Sequence, residues 1–230
     1  MSFEIKILQQ LTRTFVLKID DIVIDKVETT KFFGVIINSS LTWRDHIKIL
    51  CNKVNKSIGI MLRVKNNVDV NALNMLYHSL IQPYFQYCNI IWATHHRQHI
   101  ELLFRKQKKA VRILSLYKWN THTKPLFVNH PILTLFNINI FQVCCFMYKV
   151  RHNLLPSFCI NWILKNNEIH HHCTRNAIKF YVISHRLTCH SHSIKVLGVK
   201  LWNNLPTSIT EYLSLPVFKC RCKHYFINND

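Results

Sequence analysis

Apolar positions along residues 15–37 follow a two-residue period interrupted by polar pairs. Phe15, Leu17 and Ile19 fall on every second position, Ile22-Val23-Ile24 and Val27 follow, and Phe32-Phe33-Gly34-Val35-Ile36-Ile37 makes a third run. That period, with its β-branched enrichment, predicts short strands. Asp20-Asp21 stands between the first two runs, and Asn38-Ser39-Ser40 forms a turn cluster after the third. Beyond it the period changes to that of a helix. Thr42 is the expected cap, with Asp45 at the third helical position. Ile47, Leu50, Cys51, Val54, Ile58 and Met61 then draw an apolar stripe.

Asn66-Asn67-Val68-Asp69 breaks that stripe, and a second helix is expected from about Asn71, carrying Leu73, Leu76, Tyr77, Leu80 and Ile81. Pro83 kinks or restarts it, and the aromatic-rich stretch Tyr84–Trp92 reads as buried. A third helix, Ile100 to Leu116, sets Leu103, Ala110, Val111 and Leu114 against Arg105, Lys108, Lys109 and Arg112 on the opposite side. A fourth, Asn139 to His152, spaces Phe141, Cys144, Cys145 and Tyr148 for one face. After Pro156 the pattern weakens, with a loop over residues 166–172 and a short basic helix from about Ser214. The fold class expected is α+β, mostly α: antiparallel strands over 1–41, a helical region over 42–155 and a basic C-terminal region over 156–230.

Charge sharpens this picture. The formal net charge is +19, and it is unevenly spread. Met1–Glu101 holds 12 basic and 8 acidic residues, whereas Leu102–Asp230 holds 18 basic and 3 acidic. Such an imbalance calls for a polyanionic partner, nucleic acid before anionic membrane, or for a surface that tolerates self-repulsion, with a basic fragment that has no partner as the third reading. Three glycines are too few for a phosphate-cradling loop or a dinucleotide fingerprint. No apolar run is long enough to span a bilayer, and the N-terminus lacks the layout of a secretory signal. Nine cysteines without framework spacing suit free thiols in a reducing compartment. The expected location is intracellular, nuclear or cytoplasmic.

Several segments, in order, carry a family resemblance. KFFGVIINSSLTWRDHI (Lys31–Ile47) resembles the segment that closes the palm of reverse transcriptases from non-LTR retrotransposons of the jockey-like kind. LYHSLIQPYFQYCNIIWA (Leu76–Ala93) is similar to the start of that family's thumb, and LFRKQKKAVRIL (Leu103–Leu114) to its basic helix. LPSF (Leu155–Phe158), Thr174-Arg175, GVKLWNNLP (Gly198–Pro206) and FKCRCKHYF (Phe218–Phe226) resemble its C-terminal tail. Phe33 stands where the family usually has Leu, and Val199 where it often has Pro. The resemblance implies the end of a palm over 1–41, a thumb-like region over 42–155, and a partner that is template–primer or element RNA, bound weakly and without sequence specificity. It also implies that the catalytic Ala-Asp-Asp strand lies upstream of anything in this chain. The expectation is therefore no polymerase activity, no catalytic residue and no cofactor, with Mg²⁺ expected only in the intact polymerase. The competing expectation is a relic without selected activity.

Candidate chemistry divides accordingly. Asp20-Asp21 lacks the third carboxylate that two-metal catalysis needs, and occupies the place where the resembling family turns a hairpin. Phe33-Gly34 matches the family's primer grip, where a glycine permits close approach of backbone to a strand; a bulge or a packed strand glycine is the alternative. Arg105, Lys106, Lys108, Lys109 and Arg112 could neutralise phosphates, against the alternative of a solvated helix face. His170-His171-His172-Cys173, Cys189-His190-Ser191-His192 and Cys220-Arg221-Cys222-Lys223-His224 lack zinc-finger spacing, so no metal site is expected. The five tryptophans read as packing residues, with Trp202 an anchor.

Overall fold

The computed structural model describes residues 17–94, 97–161, 163–169, 179–186, 188–211 and 214–229. Phe15, the His170–Cys173 cluster, Thr174-Arg175 and Trp162 lie outside them. The chain divides into two compact units, one ending at Leu41 and one beginning at Thr42, and the described residues are mostly helical with strands confined to the first.

The first unit is two successive hairpins. Strands β1 (Leu17–Ile19) and β2 (Ile22–Ile24) pair antiparallel with Ile19 opposite Ile22, which leaves Asp20 and Asp21 as the entire turn. Their φ values are 48° and 64°, the left-handed pair that a two-residue turn needs to match strand twist. The aspartates are thus a hairpin turn, as the sequence suggested. Strands β3 (Thr29–Phe32) and β4 (Val35–Asn38) repeat the device, with Phe32 opposite Val35. Contrary to the pattern of the sequence, Phe32–Ile37 is not one strand, and Gly34 is neither a bulge nor a strand glycine. Phe33 and Gly34, at φ 44° and 78°, are the turn itself. Gly34 adopts that conformation without steric cost. Phe33 does not, and its bulk disguised the turn as continued strand. A bond from Ser39 N–H to Glu28 O, 2.9 Å, closes the second hairpin.

The second unit begins with α1 (Arg44–Val64). Trp43, not Thr42, holds its cap position, with φ 60°. Ile47, Leu50, Val54, Ile58 and Met61 are buried along it, the expected stripe. Asp69 caps α2 (Val70–Leu80) by accepting from Ala72 N–H, so the predicted break is a helix start. Pro83 sits in the first turn of α3 (Gln82–Gln86), where its missing N–H costs nothing. After α4 (Asn89–Trp92) comes α5 (Arg97–Leu114), which packs along α1. It ends at Leu114, two residues short of the expected limit. Leu116 at φ 57° lets Leu116 N–H reach Ile113 O and Tyr117 N–H reach Arg112 O, a Schellman stop with leucine in glycine's place. Helix α6 (Lys124–Asn129) leads to α7 (Leu135–Arg151), capped by Thr134 through Asn137 N–H.

Short helices α8 (Ser157–Ile160), α9 (Asn166–Ile169) and α10 (Thr188–Ser191) follow. A π-helical turn (Ile194–Gly198) then runs into α11 (Val199–Asn204), α12 (Thr207–Thr210) and α13 (Leu215–Asn228). Val143, Cys144, Met147 and Tyr148 of α7 share one apolar cluster with Val199, Trp202, Ile209, Phe218 and Cys222. The C-terminal region and the helices before residue 155 therefore share a core. Tyr148 stacks on Phe218 at 4.5 Å between ring centroids, with Trp202 5.8 Å from Phe218, so Trp202 is the anchor expected of it. A side chain at Gly198 would meet Met147 Sδ at 2.9 Å; the glycine lets the π-helical turn lie against α7. Among the described residues no helix is long and apolar enough to cross a membrane.

Candidate nucleic-acid interface

Helix α5 carries most of the candidate residues, and its inner face explains its placement. Leu103, Ala110, Val111 and Leu114 are fully buried, as is Gln107 at 0 % exposure. Gln107 Nε2 donates to Tyr77 Oη at 3.0 Å and to Leu133 O at 2.9 Å, while its Oε1 accepts from Leu135 N–H at 2.7 Å. One side chain thus ties α5 to α2 and to the first turn of α7. Burial pushes the Tyr77 phenol well above its ordinary pKa, and the Gln107 bond draws it partly back, so Tyr77 is neutral. A buried amide with its donors and acceptor engaged fixes the rotation of α5 about its axis, and that rotation sends the basic residues outward.

The five predicted bases do not act alike. Arg105 and Lys109 are exposed and lie one turn apart on the outer face. Lys108, half-buried, rests its Nζ over the Phe104 ring, 4.4 Å from the centroid. Arg112 Nε donates to Thr121 O at 2.8 Å, pinning the loop that follows the helix. Lys106 is half-buried near Cys51, whose thiol pKa is raised by burial with Lys106 acting against the rise. The helix-face reading therefore resolves into a free pair, Arg105 and Lys109, a ring-bound Lys108, a structural Arg112 and an inward-leaning Lys106. Phe33 and Gly34 belong to the first unit. Phe33 is 77 % exposed at the hairpin tip, with its ring 4.5 Å from that of Phe32 in an edge-on contact.

Sequence reasoning missed what stands beside α5. Trp119, expected to pack, is 86 % exposed in the loop that Arg112 pins; Trp43, Trp92 and Trp202 are buried as expected. Phe104, Phe127 and Phe136 converge, Phe104 lying 6.2 Å from Phe127 in a stacked arrangement and 5.1 Å from Phe136 edge-on. They border a half-open cavity of about 480 Å³ rimmed by Lys108, Lys124 and His122. Only the Phe104–Lys108 spacing on one helix face was visible as a signal; the other members arrive through tertiary packing.

Metal chemistry gains no support from the described cysteines and histidines. No group of three or more His, Cys, Asp or Glu is placed to hold an ion among the described residues. Cys222 is buried and Cys220 exposed, so neighbours in sequence face opposite ways. Cys144 is hydrogen-bonded to Cys222, which with burial pushes its thiol far above the ordinary range. Burial likewise raises Cys145 to about 12. Cys144 and Cys145 are therefore buried, protonated thiols of low reactivity. Comparison with protein-family models, with curated proteins and with solved structures returns no match.

Proposed function

We propose that this is a reverse-transcriptase-like chain of a non-LTR retrotransposon whose helical, thumb-like unit holds template–primer or element RNA by its phosphates, weakly and without sequence preference, and does no polymerase chemistry itself. The observation supporting it is the outer face of α5. Arg105 and Lys109 project from a helix whose inner face is locked by Gln107, in a chain of net charge +19. Fixed cations on one face displace condensed counterions from a polyanion, which gives binding that falls steeply with salt. The segment resemblance from Lys31 to Phe226 supplies the family; Mg²⁺ would matter only where a complete palm is present.

Filter binding of the purified chain to a mixed-sequence RNA, titrated across ionic strength, tests this. Weak affinity that declines with salt is expected, and the charge reversal Arg105→Glu with Lys109→Glu should lower the salt slope by about 1.5–2 as two phosphate contacts vanish. Absence of binding at low salt, or binding indifferent to the reversal, sinks the proposal. Nucleotide incorporation on a primed template with Mg²⁺ should be nil.

A further inference from the structure

Rows of side chains on α5 run side by side. Arg105 and Lys109 form the exposed row, and Phe104 and Lys108 the next, each pair at the four-residue spacing that stacks neighbours along a helix. The second row opens onto the cavity of about 480 Å³, a size typical of small-ligand sites. Its apolar wall is the aromatic cluster of Phe104, Phe127 and Phe136. Its rim carries the ammonium groups of Lys108 and Lys124 beside the His122 ring, against the single carboxylate of Glu101. An aromatic floor under an ammonium rim, continuous with a phosphate-binding row, fits a flat ring joined to an anion.

We infer that this cavity is a base-stacking pocket for single-stranded nucleic acid: an unpaired nucleobase lies against the Phe104 ring while Lys108 and Lys124 take its flanking phosphates. The inference rests on the proposed phosphate-binding role of α5 and adds to it a preference for unpaired over paired strands. Lys108 is the moving part. Its ammonium rests on the Phe104 face through a cation–π contact, a weak attraction at a partly exposed site. An entering base takes that face, and the ammonium exchanges the ring for a phosphate. Duplex bases are stacked within the helix and cannot reach the cavity without unpairing. Stacking on an aromatic ring tolerates any base, because every base offers a π-face.

The decisive measurement compares a twelve-residue oligothymidine with an abasic strand of equal length and charge, by fluorescence anisotropy on the full chain. The oligothymidine should bind at least about tenfold more tightly. Phe104→Leu, which keeps apolar volume, should erase that difference while leaving the abasic strand's affinity unchanged. A 5-iodouracil strand cross-linked to the unaltered chain locates the base without any substitution, and the adduct should map to Phe104 or Phe136. Equal affinity for the two strands, or adducts only elsewhere such as Trp119, overturns the pocket and leaves the phosphate-binding role standing. Failure of both strands to bind overturns both.

Discussion

The hairpins before Leu41 and the helical unit after Thr42 satisfy their backbones at different ranges. Each hairpin closes within a handful of residues, through a left-handed pair at Asp20-Asp21 or Phe33-Gly34, and β2 and β3 have every residue exposed. Each sheet is two-stranded, an arrangement that is marginal in water without other support. The helical unit is instead cross-linked by buried side chains from distant positions. Gln107 binds Tyr77, Leu133 and Leu135, and Asn139 Nδ2 donates to Asn89 Oδ1 at 2.7 Å. Asn203 both accepts from Phe180 N–H and donates to Phe180 O. Turn chemistry decides the first unit, and long-range burial decides the second.

Substitutions should therefore separate the two, and the largest losses belong to the helical unit. Phe218→Ala removes the ring packed between Tyr148 and Trp202 and should cost about 3–5 kcal/mol in urea unfolding of the full chain. A cost under about 1 kcal/mol would mean that the shared core contributes little. Gln107→Leu should follow at about 2–3 kcal/mol, because it strands a buried N–H and a carbonyl whose partner is gone. The same variant should broaden amide signals at the start of α7, where Leu135 N–H loses its acceptor.

Acidity gives a third, smaller separation. His46 is 3 % exposed, and burial, helped by Lys53, holds its imidazole pKa below the ordinary 6.5. The folded state keeps the ring neutral while the unfolded chain protonates it, so this stability is present above pH 6.5 and is lost as pH falls below it. His46→Gln should flatten the decline between pH 7 and pH 5 in thermal unfolding; an unchanged slope would assign it elsewhere. Cys145 has the opposite sense. Its folded pKa of about 12 exceeds the 9.0 of a free thiol, so its contribution is complete below pH 9 and is lost as pH rises towards 12.

The smallest effect should come from the hairpin. Replacing Asp20 with Asn and Asp21 with Gly supplies the turn pair best suited to this geometry. By relieving the left-handed strain at φ 48° and 64°, it should raise amide-exchange protection across Leu17–Ile24 by up to about 1 kcal/mol. A gain comparable to the Phe218→Ala loss would erase the contrast between the units.

Much of this was legible in the sequence because it is periodic. The α1 stripe, the core face of α5 and the Cys144–Cys145–Tyr148 face of α7 all follow from 3.6-residue spacing, since burying one side of a helix needs nothing beyond that pattern. The Asp20-Asp21 turn was legible for a local reason, two polar residues between apolar runs. Phe33-Gly34 was not, because an apolar residue occupied a turn position where composition signals strand. The exposure of Trp119 was not legible for a related reason: side-chain size predicts burial only on average, and its loop is placed by an Arg112 bond to the Thr121 carbonyl that no apolar pattern signals.

The sequence by itself determined the long helices α1, α2, α5 and α7, the first hairpin, the concentration of positive charge after Leu102, and the basic outer row of α5. These depend on neighbours a few positions apart. Only the tertiary structure decided which bases stay free, which one pins a loop, and that Phe104 meets Phe127 and Phe136 beneath Lys108 and Lys124. Those groups come from three separate helices, and their meeting is set by how the helices rotate and pack. The buried Gln107 fixes that rotation for α5, and its importance appears only once Tyr77, Leu133 and Leu135 surround it.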